Sequence, residues 1–175
     1  ASIGVDLGGA SLRRTAEDLL FNKSLPLNAY RTSSFSLDKK SVTPLIMQTA
    51  IGQGNTLVSP MHMALITCAI ANDGVLMKPY LIDEVVNDSN DTVKKTEPVP
   101  YKRLMSSNEA NLLGKLMKQV VDSGTASSLS GRSYTVAGKT GSAEFDEEGH
   151  SHSWFIGYSN VDDPDLVVAV IVENG

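Results

Sequence analysis

The chain has little cysteine, no long apolar run and no excess of positive charge, and each shortage excludes a class of protein. Cys68 is the one cysteine, so no disulfide can form within the chain, and its apolar neighbours indicate a buried, inert thiol. The longest apolar run, Leu166 to Val172, is far shorter than the roughly 20 residues that span a bilayer, and no signal peptide pattern opens the chain. A net charge of -5 argues against a nucleic-acid partner. We expect membrane contact only through an anchor outside these residues.

The chain does contain enough apolar material for one folded unit. Its 175 residues, 41% of them apolar, are most simply a single domain with a real core. It starts at Ala1 without a methionine and stops at Gly175 directly after a strand-like run. We therefore expect residues 1–175 to be a part of one domain in a larger protein.

Apolar spacing and end signals predict helices in the first part of the chain. The periodicity indicates a short amphipathic helix over Leu12 to Leu20, and polar composition indicates an exposed connection from Asn28 to Pro44. Ser59 and Pro60 are a favourable N-cap and first helical residue for an apolar, buried helix over Met61 to Ala71.

A second set of signals covers the middle of the chain. The polar segment Asp83 to Pro100 is consistent with a strand pair that turns at Asn87 to Asp91. Ser106 and Glu109 form a capping box ahead of a helix. The spacing predicts one apolar stripe on that helix, made of Leu112, Leu113, Leu116, Met117, Val120 and Val121.

The last part of the chain has a β pattern. Strands are predicted over Tyr134 to Phe145, Ser153 to Tyr158 and Leu166 to Val172, joined by the loops Asp146 to Gly149 and Asn160 to Asp165. Such short loops allow only antiparallel neighbours. Because the last strand is apolar on both faces, we expect it at the centre of the sheet, with helices covering each side. The predicted class is α+β.

The triplet Lys139, Thr140 and Gly141 lies inside the first of these strands. About 0.05 such triplets are expected by chance in a chain of this composition. Lys139 offers a cation and Thr140 a hydroxyl for a substrate carboxylate, and Gly141 leaves room for a peptide or lactam against the strand edge. The N–H of Ser142 would then form half of an oxyanion hole. These residues predict a site for acyl transfer.

A phosphate-binding loop is the competing interpretation of Gly138, Lys139 and Thr140. That motif requires glycine at position 133, where the chain has Ser133, and a helix directly after Thr140. Neither requirement is met, so we do not expect a nucleotide. We also expect no cofactor and no metal: the three histidines, His62, His150 and His152, lack metal-ligand spacing and a neighbouring nucleophile.

Beyond the triplet, ordered blocks of sequence resemble the transpeptidase domains of penicillin-binding proteins, and most closely the class B enzymes. The blocks are Thr49 to Gly54, Val58 to Ala64, Ala71 to Gly74, Val120 to Ala126, Ala137 to Ala143 and Ser153 to Tyr158. The resemblance implies the α+β fold of penicillin-binding proteins and serine β-lactamases. It also implies that residues 1–175 are the C-terminal part of a single transpeptidase domain.

The mechanism of that family requires two further motifs, Ser-x-x-Lys and Ser-x-Asn. The chain contains a match to each, at Ser36 to Lys39 and at Ser106 to Asn108, but about one of each is expected by chance. Ser36 lies in a polar connection, and Ser106 already serves as a helix N-cap. We interpret both as coincidental, which places the nucleophile outside this chain.

The resemblance implies a peptidoglycan D,D-transpeptidase at the extracytoplasmic face of the bacterial membrane. Its expected partners are peptidoglycan stem peptides, β-lactams as inhibitors, and the upstream part of the same protein. Lys139 and Ser142 would have catalytic roles, and Thr140, Gly141 and Ser142 would bind substrate. Gln53, Gly54 and Trp154 are expected to shape loops or to pack.

Two alternatives remain at this point. One is a serine β-lactamase or β-lactam sensor of the same fold, which shares Lys-Thr-Gly but usually lacks the Gly-Gln-Gly and Gly-Thr-Ala blocks. The other is a binding or assembly module without catalytic activity.

Overall fold

A computed structural model describes residues 1–27, 31–146 and 148–175 of the chain. Its helices are α1 (Ser2–Asp18), α2 (Thr43–Thr49), α3 (Pro60–Ala71) and α4 (Ser107–Ser123), with a single 3₁₀ turn at Ser127–Leu129. Its strands are β1 (Val75–Met77), β2 (Glu84–Val86), β3 (Thr92–Lys95), β4 (Pro100–Arg103), β5 (Val136–Glu144), β6 (Ser151–Ser159) and β7 (Val167–Val172). Along these residues, no helix combines the length and the apolar character that a membrane span requires.

The main sheet is antiparallel in the order β5, β6, β7. The three predicted strands are confirmed, but the prediction that the last one is central was wrong, because β6 lies between the other two. Two successive short connections necessarily put the middle strand of the chain at the centre. β7 is apolar on both faces and yet borders β6 alone among the described residues, where Val168, Val170 and Val172 are exposed.

The described helices that cover this sheet lie on one face of it. α3 packs against β6 and β7, and α4 packs against β5. One core cluster joins these helices and the end of α1 to the sheet. It contains the buried residues Ala16, Phe21, Ile66, Ile70, Met117, Ala137 and Tyr158. The opposite face carries Phe155 and the exposed valines of β7. The predicted α+β class with an antiparallel sheet is therefore confirmed, whereas helical cover on both faces is not found in the described residues.

Helix α4 begins with the predicted capping box. The Ser106 hydroxyl accepts from the Glu109 N–H at 3.3 Å, and the Glu109 carboxylate accepts from the Ser106 N–H at 2.8 Å. The predicted stripe was partly wrong, since its three leucines, Leu112, Leu113 and Leu116, are exposed. The buried face is Ala110, Gly114, Met117 and Val121. Glycine is required at position 114 because a Cβ there would lie 2.6 Å from the Tyr158 hydroxyl oxygen.

The first part of the chain is more helical than its apolar periodicity predicted, although the resemblance implied a helical segment over Ala1 to Phe21. α1 starts ten residues before the predicted Leu12, with a break at Gly8, whose φ is 76°. It ends at Asp18, and Leu20 takes a left-handed φ of 74°. The predicted connection from Asn28 to Pro44 lies partly outside the described residues. Up to α2, its described part contains no helix or strand and one isolated β-bridge, between Ser34 and Leu57. α2 is a short helix that the composition did not predict.

Two further predictions for the middle of the chain are confirmed. α3 has Ser59 as its N-cap, and the Ser59 hydroxyl accepts from the His62 N–H at 3.2 Å. β2 and β3 form an antiparallel pair in the polar segment, and the Asn87 side chain closes its turn by accepting from the N–H groups of Ser89 and Asp91. The loop predicted at Asp146 to Gly149 lies partly outside the described residues.

His62 is the fully buried histidine of α3 and joins it to the end of α1. Its Nε2 lies 2.7 Å from the Leu19 carbonyl oxygen, and its ring is 4.7 Å from that of Phe21. Burial lowers the pKa of His62, and the hydrogen bond to Leu19 opposes that shift in part. The neutral ring is therefore the form that the core accommodates.

Acidification should destabilise the chain through His62. Because its folded-state pKa lies below the unfolded value of about 6.5, the unfolded state binds more protons, and stability is lost as the pH falls below that value. The loss should reach at most about 1.4 kcal/mol per pH unit. Urea denaturation between pH 8 and 5 measures it. The His62→Gln variant keeps an N–H donor and does not titrate, so an identical pH slope in that variant would contradict this assignment.

Removing the cap of α4 should lower stability without touching the cleft described below. Ser106→Ala loses both hydrogen bonds of the Ser106 hydroxyl, one from the Glu109 N–H and one to the Glu109 carboxylate, and we expect the free energy of unfolding to fall by about 1 kcal/mol. Urea denaturation provides the measurement. Ser89→Ala, at an exposed turn, is the matched control and should change stability by less than about 0.5 kcal/mol.

Candidate active site

Strand β5 has one edge paired with β6 and one edge open among the described residues. The Asn160 N–H donates to the Thr135 carbonyl at 2.8 Å, and the Phe145 N–H donates to the His150 carbonyl at 3.1 Å. Because an antiparallel pair alternates between bonded and non-bonded residues, these two bonds fix the alternation along the whole strand. Odd-numbered residues of β5 pair with β6. The N–H and C=O groups of Gly138, Thr140 and Ser142 therefore point to the open edge.

The inner face of the same strand forms one wall of a cleft of about 450 Å³. Lys139, Gly141 and Ala143 share that face with Ile156 and Trp154 of β6. The facing walls come from the segment before α3 and from α3 itself. Their lining residues are Ile51, Gly52, Val58 and Met63. The cleft thus combines mostly apolar walls with one cation and an exposed backbone edge, an arrangement typical of small-molecule and peptide sites.

Lys139 is the cation of this cleft. Its side chain is exposed, and its ammonium nitrogen donates to the Thr140 carbonyl oxygen at 2.6 Å. Across the described ranges, no carboxylate forms a salt bridge with it. A cation that no acidic side chain neutralises is able to attract the carboxylate of a ligand.

Thr140 and Ser142 are each contacted by a residue from another part of the chain. The Thr140 hydroxyl lies 2.7 Å from the Thr125 hydroxyl, which belongs to the loop after α4. The Ser142 carbonyl oxygen accepts from the side-chain amide of Gln53 at 3.3 Å. Sequence reasoning assigned Gln53 to loop shaping and gave Thr125 no role, so it missed both contacts. The flanking Gly52 and Gly54 indicate a tight turn, and this turn was the sequence signal that could have pointed to a contact by Gln53.

The other sequence matches lie outside this cleft. Ser36 is in a non-helical segment, so Lys39 is not placed one helical turn after it, and Ser106 is the N-cap of α4. β5 continues as a strand through Thr140 to Glu144, where a phosphate-binding loop would begin a helix. The structure therefore excludes the nucleotide interpretation.

The remaining histidines lie in and after the loop between β5 and β6. His150 Nδ1 is 2.6 Å from the Asp146 carboxylate, and that hydrogen bond is the main reason that the pKa of Asp146 is lowered. Glu148 lies close enough for the three side chains to form a ligand-like group, which residue spacing did not suggest. All three are exposed. His152 stacks on Phe145 with ring centres 4.3 Å apart.

The family model for the penicillin-binding protein transpeptidase domain matches residues 2–175. The chain belongs to this family. It is 31% identical to penicillin-binding protein 3 of Bacillus subtilis, over 99% of this chain and 26% of that protein. It is 33% identical to the peptidoglycan D,D-transpeptidase PbpA of Mycolicibacterium smegmatis, over 73% of this chain and 26% of that protein.

Solved structures agree with the family assignment. An imipenem acyl-enzyme complex of penicillin-binding protein A from Mycobacterium tuberculosis superposes with a TM-score of 0.86 at 26% identity, over 99% of this chain and 40% of that one. The D,D-transpeptidase domain of a peptidoglycan glycosyltransferase from Eggerthella lenta gives 0.84 at 31% identity, over 99% and 45%. The chain thus spans between 26% and 45% of the length of these relatives.

Two glycines of the sheet should respond differently to the same substitution. A Cβ at Gly157 would lie 2.7 Å from the Ala137 carbonyl and 2.8 Å from the Phe155 ring, whereas a Cβ at Gly141 would meet only Trp154 Cβ, at 3.5 Å. We expect Gly157→Ala to cost roughly 1–3 kcal/mol of unfolding free energy and Gly141→Ala less than about 0.5 kcal/mol. Urea denaturation of both variants tests this, and equal losses would contradict the strand pairing.

Proposed function

We propose that this chain is the C-terminal part of the transpeptidase domain of a peptidoglycan D,D-transpeptidase. The observation that carries the proposal is the open edge of β5, where Lys139 faces the cleft and the backbone of Ser142 faces the edge. An acyl donor with an extended backbone can pair with such an edge. The family match over residues 2–175 supports the same conclusion.

In the proposed reaction, a serine outside this chain is the nucleophile. Its hydroxyl oxygen attacks the carbonyl carbon of the penultimate D-alanine of a stem peptide, the peptide C–N bond breaks, and the terminal D-alanine leaves with a proton. The amine of a neighbouring stem peptide then attacks the ester, forms the cross-link and regenerates the serine. A β-lactam would acylate the same serine, as in the imipenem, ceftriaxone and penicillin G acyl-enzyme complexes of the Mycobacterium tuberculosis protein.

Each residue of the triplet region has a role in this proposal. Lys139 provides positive potential in the cleft, and the hydroxyls of Thr140 and Ser142 bind the substrate carboxylate. Gly141 leaves the inner face open for the acyl donor, since a Cβ there would project toward the cleft. The Ser142 N–H, which lies on the open edge, stabilises the oxyanion that forms during attack.

The partners and the location follow from the reaction rather than from the chain. We propose stem peptides as substrates, β-lactams as inhibitors and the extracytoplasmic face of the membrane as the place of action. The upstream part of the same protein would supply the nucleophile and any anchor. A β-lactamase is disfavoured because the family model and the named relatives are transpeptidases and penicillin-binding proteins.

A fluorescent penicillin tests the proposal on two proteins. The 175-residue chain alone should form no covalent adduct. A longer protein that includes the upstream sequence should form one, and peptide mapping by mass spectrometry should place it on a serine outside residues 1–175. An adduct on Ser36 or Ser106 would contradict the assignment of the nucleophile, and no adduct on the longer protein would refute the function.

Lys139→Ala in the longer protein tests the role of the cleft cation. We expect the acylation rate to fall by about a hundredfold, because the positive potential acts on charge that develops during the reaction. Lys118→Ala removes a lysine from an exposed ion pair on α4 and serves as the matched control, with an unchanged rate. Equal rates for the Lys139 variant and the control would contradict the proposed role.

A further inference from the structure

Gln53 and Ser142 are 89 positions apart in the chain and meet at the open edge of β5. The Gln53 side-chain amide donates to the Ser142 carbonyl oxygen at 3.3 Å. On a paired edge, the neighbouring strand would supply such a donor. Gln53 therefore supplies the hydrogen-bond donor that a neighbouring strand would otherwise supply. It does so at Ser142, whose N–H is proposed to stabilise the oxyanion.

The segment that carries Gln53 is well anchored to α2. Gly52 and Gly54 take positive φ values of 87° and 79°, and these make a tight turn on each side of Gln53. The Gln53 N–H donates to the Gln48 carbonyl at 3.0 Å, and the Gly52 N–H donates to the Thr49 carbonyl at 3.0 Å. The Gln53 side chain, itself partly buried, thus extends from a fixed base rather than from a free loop.

The contact constrains a residue of β5 whose own backbone groups do not bond to β6. Ser142 is exposed, and both its N–H and its C=O point away from β6. The Ser142 N–H belongs to the same peptide unit as the Gly141 carbonyl, which pairs with β6, and the Gln53 amide holds the next peptide unit through the Ser142 carbonyl. The two bonds together hold the backbone on both sides of the Ser142 Cα, and so they limit the direction of the Ser142 N–H. Oxyanion stabilisation depends on a donor that is already oriented before the charge develops.

We propose that Gln53 is a positioning residue for acyl transfer: its amide orients Ser142 so that the Ser142 N–H is directed at the developing oxyanion. This inference rests on the proposed function. Gln53 touches neither the nucleophile nor the reacting carbonyl in this role. Its effect should therefore be on the acylation step and not on reversible binding of the acyl donor.

The test uses two variants of Gln53 in the longer protein. Gln53→Glu has the same shape but no N–H donor, and Gln53→Met has a similar length with neither donor nor charge. Gln48→Glu is the matched control, because Gln48 is exposed on the adjacent α2 and its side chain forms no hydrogen bond within the described residues. Stopped-flow kinetics with a fluorescent penicillin give the acylation rate constant and the reversible dissociation constant separately. Thermal midpoints are measured on all three variants.

We expect both Gln53 variants to lower the acylation rate constant roughly ten- to hundredfold, with the dissociation constant and the thermal midpoint unchanged. The control should match the unsubstituted protein. The proposal is overturned if acylation stays within twofold in the Gln53 variants, if only the Glu variant is slow, or if the rate falls together with the thermal midpoint in both. Failure of the unsubstituted protein to be acylated would instead refute the proposed function on which the inference rests.

Discussion

The alternating hydrogen bonds between β5 and β6 are the constraint on which the candidate site depends. They direct Lys139 into the cleft and turn the backbone of Ser142 to the open edge, so the cation and the proposed oxyanion donor lie on different sides of one strand. A shift of the register by one residue would turn the Lys139 side chain to the other face of the sheet and the Ser142 N–H toward β6. Glycine at position 157 permits this pairing, because a Cβ there would lie 2.7 Å from the Ala137 carbonyl oxygen.

Local patterns predicted the elements better than they predicted burial. The capping box at Ser106 and the strands of the main sheet depend on residues close in sequence, and these predictions were confirmed. The buried face of α4, by contrast, depends on which elements meet in space. Leu112 is apolar, as core residues usually are, and yet it is exposed. Gly114 faces Tyr158, because the helix approaches the sheet closely at that point.

In the candidate site, too, the local element could be predicted from the sequence and its contacts with distant residues could not. The rarity of the Lys139 triplet and its position in a β-pattern were sufficient to predict the strand that carries it, which is confirmed, and its role in substrate binding stays a prediction. The supports of that strand could not be predicted, since Thr125 and Gln53 reach it from distant parts of the chain. Periodicity describes how one element exposes its side chains. It contains no information on which loop will end beside a given carbonyl group.

Trp154 is the single tryptophan of the chain, and it lies in the wall of the cleft beside Gly141. Indole fluorescence depends strongly on the polarity around the ring, and no second tryptophan elsewhere in the chain adds to the emission. The chain therefore has an intrinsic optical reporter in the wall of the candidate site. Binding at the cleft can be followed by emission, without a label and without catalytic turnover.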